Sequence, residues 1–274
     1  MSHITTADNT ALYVRDWGKG QPVVLIHGWP LSADSWDYIA MKLVQAGYRV
    51  ISYDRRGFGR SGQPWSGYEY DTFADDLKAV ITSRNLDAVS LVGFSMGGGE
   101  IARYLSRHQG AGVARVALLS SVVPFLLRTD DHQEGVPKKV FDDMLNGLLR
   151  DRAHFYTGFF KDFYGYGMLE HPVSQEFLNW NTQVAMQASL KATLDCVTAF
   201  SHTDFRPDLA SFKVPTLIIH GSADNTVPID VTAFAVKQAV PHATLIEYEG
   251  EPHGILATAA DRVVNDLLSF LSTS

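Results

Sequence analysis

Gly93-Phe94-Ser95-Met96-Gly97 is a G-x-S-x-G run standing between the apolar stretch Val89–Val92 and a helical pattern over Glu100–Arg107. A strand-to-helix turn this tight holds its middle residue in a strained backbone conformation. Glycines two before and two after remove side chains that would collide. The expected product is a serine hydroxyl at the tip of the turn, facing the positive end of a helix. That is a nucleophile. A bare match says little, because glycine and serine are common, and a serine that only caps a helix would look similar. The strand before it and the helix after it carry the weight.

A serine hydroxyl attacks poorly until a base takes its proton and an acid orients that base. Folds that use this turn order the three as serine, acid, histidine along the chain. Among the ten histidines, His253 fits best. It lies in Gly250-Glu251-Pro252-His253-Gly254, after the strand pattern Thr244–Tyr248 and before the last helix. The acid should close the preceding strand, and Gly221-Ser222-Ala223-Asp224 follows Thr216–Ile219, so Asp224 is expected. Asp204 and Asp208 are runners-up. His220 ends its own strand and His242 precedes the final one, so both read as structural. The developing oxyanion needs main-chain donors already aimed at it. Met96, after the nucleophile, should give one, and Trp29 in His27-Gly28-Trp29-Pro30 the other. His27 precedes the serine and therefore reads as a brace for its loop. A histidine base predicts esterase activity that rises with pH as imidazole loses its proton.

These residues need a scaffold. Ala11–Trp17, Val23–Ile26, Arg49–Tyr53, Val89–Val92, Val116–Leu119, Thr216–Ile219 and Thr244–Tyr248 read as strands, several apolar on both parities. Helical patterns cover Asp34–Gln45, Asp71–Arg84, Ile101–Arg107 and Ala259–Leu271. The alternation predicts an α/β fold, a mostly parallel twisted sheet flanked by helices. Between about Pro124 and Pro215 the rhythm breaks, with helical stretches Pro137–Leu149 and Gln175–Leu194 and many aromatic residues. The predicted division is a core of 1–123 and 214–274 with a helical cap at 124–213. About a third of the cap's rings should face a ligand, since a minority of such side chains line apolar pockets. Trp29, Pro30, Phe125, Phe159, Phe163, Phe200, Val227 and Ile255 are the candidate substrate-binding residues, a set that favours small apolar or aromatic groups.

Composition narrows the classes. The chain has 274 residues, 46% hydrophobic and 19% charged, enough for a large core. With 23 Lys+Arg against 30 Asp+Glu it carries −7 and has no Lys/Arg-rich run, which argues against nucleic acid or an anionic membrane as partner. No apolar run approaches the roughly 20 residues of a transmembrane helix. The first residues lack a signal pattern, so a cytoplasmic location is expected. Cys196 is alone, which excludes an internal disulfide framework and a multi-cysteine metal cluster. With neither a zinc-type histidine pair nor G-x-G-x-x-G after a strand, no metal or cofactor is expected.

Together these blocks resemble the α/β-hydrolase superfamily. More narrowly, they resemble the cofactor-free haloperoxidases (perhydrolases) and the bacterial arylesterases. Residues 27–37, 47–61, 91–108, 201–209, 220–228 and 248–254 look like that family's blocks in order. The resemblance implies Ser95 as nucleophile, Asp224 as acid, His253 as base and the Trp29 and Met96 amides as the oxyanion hole. It implies an acyl-enzyme formed from a small ester or carboxylic acid, with water or hydrogen peroxide as second reactant, and a homo-oligomer as one possible state. The charges of Asp54–Ser61 read as structural. Haloperoxidase-like members tend to carry proline after the tryptophan, as Pro30 does here, and arylesterase-like members leucine. Proline pushes the preceding residue toward extended ψ, which could aim the Trp29 carbonyl at an attacking peroxide. A rigid turn without catalytic consequence is the alternative. Two other functions use the same blocks: an amidase or γ-lactamase on small cyclic amides, and a non-catalytic hydrolase-fold binding protein.

Overall fold

The computed structural model describes residues 2–167 and 169–272. Among them, eight strands make one sheet: β1 (His3–Thr5), β2 (Ala11–Trp17), β3 (Pro22–Ile26), β4 (Arg49–Tyr53), β5 (Val89–Phe94), β6 (Val113–Leu119), β7 (Thr216–Gly221) and β8 (Thr244–Tyr248). Their order across the sheet is β1-β2-β4-β3-β5-β6-β7-β8. β1 with β2 and β2 with β4 run antiparallel, and every later pairing is parallel. The helices are α1 (Asp37–Gln45), α2 (Tyr70–Ser83), α3 (Met96–Arg107), α4 (Lys138–Phe163), α5 (Gln175–Met186), α6 (Leu190–His202), α7 (Ala233–Ala239), α8 (Ile255–Thr258) and α9 (Ala260–Leu271). This is the α/β architecture that the alternating patterns predict. All six residues of β5 are buried, as a central strand covered on both faces must be. No described helix is long and apolar enough to cross a membrane.

Several boundaries differ from the sequence patterns. The short edge strand β1 is exposed or half-buried and shows no apolar run. α3 starts at Met96, four residues before its pattern, because Gly97, Gly98 and Gly99 are poor helix formers that tertiary packing overrides. A Cβ on Gly99 would lie 2.6 Å from the Phe205 ring, so the helix start is pressed against neighbours that leave room only for hydrogen. α4 contains extended backbone at Asp151 (φ −161°, ψ 92°), whose Oδ1 accepts the His154 amide at 2.9 Å. It is two helices joined at a kink, the second with its own cap, and the pattern Pro137–Leu149 catches the first. The stretch Gln175–Leu194 is likewise divided, with Ser189 capping α6 by accepting the Ala192 amide at 2.9 Å.

α4, α5 and α6 all lie in the chain between β6 and β7. The parallel strands β3, β5, β7 and β8 end at one edge of the sheet, where loops outside strand carboxyl ends build sites in α/β folds. The loops there carry Trp29, Ser95, Asp224 and His253.

Candidate active site

Ser95 follows β5 with φ +54° and ψ −118°, a conformation costing a non-glycine residue about 1–3 kcal/mol. The surrounding backbone holds it there. A Cβ at Gly93 would meet the Gly97 carbonyl oxygen at 2.6 Å, and one at Gly97 would meet the Ile26 carbonyl oxygen at 2.5 Å. The turn is thus clamped against its own helix and against β3. Ser95 N–H donates to the Leu119 carbonyl at 2.8 Å, locking it to β6 as well.

The three side chains expected to do chemistry are in contact. His253 Nε2 lies 3.0 Å from Ser95 Oγ, and His253 Nδ1 lies 2.6 Å from Asp224 Oδ2. All are buried, yet Ser95 and His253 line a cavity of 960 Å³. Phe94 and Phe163 hold the imidazole in place, with centroids 5.1 and 4.6 Å from it. Asp224 Oδ1 accepts the main-chain N–H groups of Thr226 (3.0 Å) and Val227 (2.7 Å). Burial by itself would raise its pKa, but the charge and hydrogen bonds of His253 and His220 outweigh it and hold the carboxyl at about 2. A base bonded to the nucleophile and an ionised acid behind the base can remove a hydroxyl proton and stabilise the resulting imidazolium.

Gly28 brings the loop after β3 against the nucleophile, since a Cβ there would sit 2.9 Å from Ser95 Cβ. The next residue, Trp29, therefore borders the hydroxyl and lines the cavity. Met96 opens α3, where the first amides have no carbonyl one turn earlier to bond. Trp29 Nε1 donates to the Thr193 carbonyl at 3.1 Å, joining this loop to α6. His27 is fully buried. Its Nε2 accepts the Arg55 amide at 2.9 Å and its Nδ1 lies 2.9 Å from the Gly28 carbonyl, the bracing contacts expected of it. Burial and the Arg55 charge push its pKa well below the usual imidazole value. Arg55 in turn bonds Glu100 of α3 through Nε at 2.9 Å, and Tyr53 Oη donates to the same carboxylate. The nearby charges of Asp54, Arg56 and Arg60 are also occupied, by one another or by Asp8, Asp34 and Asp76.

The expected pocket is met in part. Trp29, Phe159, Phe163, Phe200 and Val227 line the cavity. Phe125, Ile255 and Pro30 do not. The Phe125 ring is instead taken up by stacking on His132 at 5.3 Å and by the Arg206 guanidinium over its face. Ile255 opens α8 with its side chain in the hydrophobic core. Pro30 is buried behind Trp29, and the bond between them is cis. In their place the walls include Val122, Leu126, Phe141, Met144 and Phe155. Phe141 and Phe155 belong to the aromatic set of the predicted cap, whereas nothing local marks Val122, Leu126 or Met144. The runners-up for the acid are engaged elsewhere, Asp204 with Arg206 and Asp208 with Arg103. His220, read as structural, contacts Asp224 Oδ2 at 3.2 Å.

A family model described as "alpha/beta hydrolase fold" matches residues 21–260. The chain is 42% identical over 270 residues to the non-heme chloroperoxidase CPO-A1 of Kitasatospora aureofaciens, covering 98% of each chain. It is 40% identical over 275 residues to the bifunctional esterase/perhydrolase DCH of Acinetobacter calcoaceticus, covering 99% of each. A crystal structure of a bromoperoxidase from Bacillus anthracis superposes with TM-score 0.95 at 46% identity, over 99% of this chain and 100% of that one.

Proposed function

The chain belongs to the α/β-hydrolase family, and from that premise we propose that it is a serine carboxylesterase for small esters that also performs perhydrolysis. The observation that carries the reading is the unbroken line from Asp224 Oδ2 through His253 to Ser95 Oγ, at 2.6 and 3.0 Å, on the wall of an apolar cavity. Relatives named esterase/perhydrolase and non-heme chloroperoxidase support both activities.

Ser95 Oγ attacks the ester carbonyl carbon while His253 Nε2 takes the hydroxyl proton. Asp224 holds the imidazole through Nδ1 and stabilises its positive charge. The carbonyl oxygen, now an oxyanion, accepts from the Trp29 and Met96 amides. As the tetrahedral intermediate collapses, His253 returns the proton to the departing alcohol and an acyl-serine remains. Water then attacks the acyl carbon, losing a proton to His253, and the free acid leaves as Ser95 regains its proton. Hydrogen peroxide attacking in place of water releases a peracid, which can oxidise halide away from the protein. We assign residues 124–213 as the cap over this site, because rings of Phe141, Phe155, Phe159, Phe163, Tyr166 and Phe200 supply most of the aromatic wall. They form a larger share of the cap's rings than a third. The wall suits a neutral, apolar acyl or alcohol group.

A fluorophosphonate probe should label the wild type and leave Ser95→Ala unlabelled. A panel of p-nitrophenyl esters, a γ-lactam, and acetate with peroxide and bromide then ranks the reactions. Unlabelled wild-type protein overturns the reading, and γ-lactam cleavage at comparable kcat/KM moves it to amides.

A further inference from the structure

His220 is fully buried at the end of β7, one turn before the acid. Its Nε2 faces two acceptors, the Val227 carbonyl at 2.8 Å and Asp224 Oδ2 at 3.2 Å. Its Nδ1 is buried without a hydrogen-bond partner. A ring with acceptors on one nitrogen and nothing on the other carries its proton on the first. His220 is thereby a fixed donor to the Val227 carbonyl, with its N–H edge against the Asp224 carboxylate. The Val227 main chain is held on both sides of Cα, since its N–H donates to Asp224 Oδ1 at 2.7 Å and its carbonyl accepts from His220. The Val227 side chain lines the cavity beside His253.

We infer that His220 is a positioning residue: it locks the carboxylate of Asp224 and the Val227 wall of the cavity into one rigid unit. The inference rests on the reading of Asp224 as the acid. Asp224 Oδ2 accepts from His253 Nδ1 and lies 3.2 Å from His220 Nε2, while Oδ1 accepts two amides, so the carboxylate has one orientation, with Oδ2 toward His253 Nδ1. Without His220 the carboxylate loses one of the four donors around it and gains charge density. It then binds the His253 proton more tightly, and the base becomes free only at higher pH. No other ionisable side chain among the described residues bonds Asp224. On the elements packed against β7, Glu247 of β8 is exposed although in register with His220. Lys237 of α7 donates to the Pro241 and Ala243 carbonyls.

The test compares His220→Leu, which keeps the volume and removes the donor, with His220→Gln, whose amide nitrogen reaches about as far as Nε2. On p-nitrophenyl acetate, with active sites titrated by fluorophosphonate, His220→Leu should lose about ten- to a hundredfold in kcat/KM, the range for a hydrogen bond to a charged group. The acid limb of its pH profile should move to higher pH. His220→Gln should recover most of the rate and restore the limb. If per-site rate and acid limb in His220→Leu match wild type, the inference fails and His220 is only a core residue. Asp224→Asn serves as the control. An active Asp224→Asn overturns the assignment of the acid itself, whereas an inactive one beside a normal His220→Leu overturns the His220 inference alone. Should His220→Leu not fold, nitrogen-15 histidine spectra of the wild type decide at a pH where imidazoles are neutral. They should show the proton of His220 on Nε2, and a proton on Nδ1 overturns the inference.

Discussion

Two buried ionic clusters sit side by side at this edge of the sheet, and they are built from similar parts. One joins Asp224, His253, His220 and Ser95; the other joins Glu100, Arg55, Tyr53 and His27. Each has a carboxylate, at least one imidazole and a hydroxyl, all shielded from solvent. Burial perturbs both, pushing the Glu100 carboxyl well above its ordinary range, while in Asp224 hydrogen-bonded imidazoles reverse that effect. Only the first reaches the cavity. A perturbed carboxyl with a histidine nearby therefore does not distinguish chemistry from scaffolding here; an opening beside the nucleophile does. The second cluster ties β4 and the loop after β3 to α3, which fixes the Trp29 loop relative to Ser95 without reaching the cavity.

The sharpest way to break this contrast is Ser95→Ala, expected to lower kcat on an aryl acetate by at least about three orders of magnitude with the melting temperature kept. Retained turnover would remove Ser95 from its role and erase the difference between the clusters. Arg55→Met should do the converse. Removing one partner of a buried ion pair costs about 3–5 kcal/mol of stability. Urea unfolding should show that loss, and the folded fraction should remain labelled by fluorophosphonate. Titration sharpens the comparison further. Asp224 is ionised down to about 2 in the folded chain against an ordinary 3.8, so its stabilisation is complete above about pH 4 and disappears as pH falls toward 2. About 2 kcal/mol is at stake, and Asp224→Asn should flatten that part of the stability–pH curve. The smallest effect concerns the cavity wall. Phe159→Ala should favour longer acyl chains by about tenfold in relative kcat/KM, the worth of a methylene or two. Phe125→Ala should leave that ratio unchanged.

How much of this was legible in the residues depends on the range of the interaction. The elbow at 93–97 is a local necessity: no other residue types fit the contacts at Gly93 and Gly97, and so spacing sufficed to find it. His253 and Asp224 were reachable because chain order and strand ends constrain them, although 158 residues separate serine from histidine. Phe125, Ile255 and Pro30 were placed in the pocket by proximity along the chain, and packing sends them elsewhere. His220 reads only as structural because a histidine at a strand end looks the same whether it fills space or stands against an acid. Only the fold brings Val227 back over it.

The hydrogen bond from the Trp29 indole to the Thr193 carbonyl links the loop after β3 to α6. Trp29, which we propose offers its amide to the oxyanion, is anchored through its indole to a helix that comes far later in the chain. On that proposal, any substrate bulky enough to shift α6 alters the electrophilic end of the reaction, so exchanges made in α6 to change selectivity will register in turnover as well as in affinity.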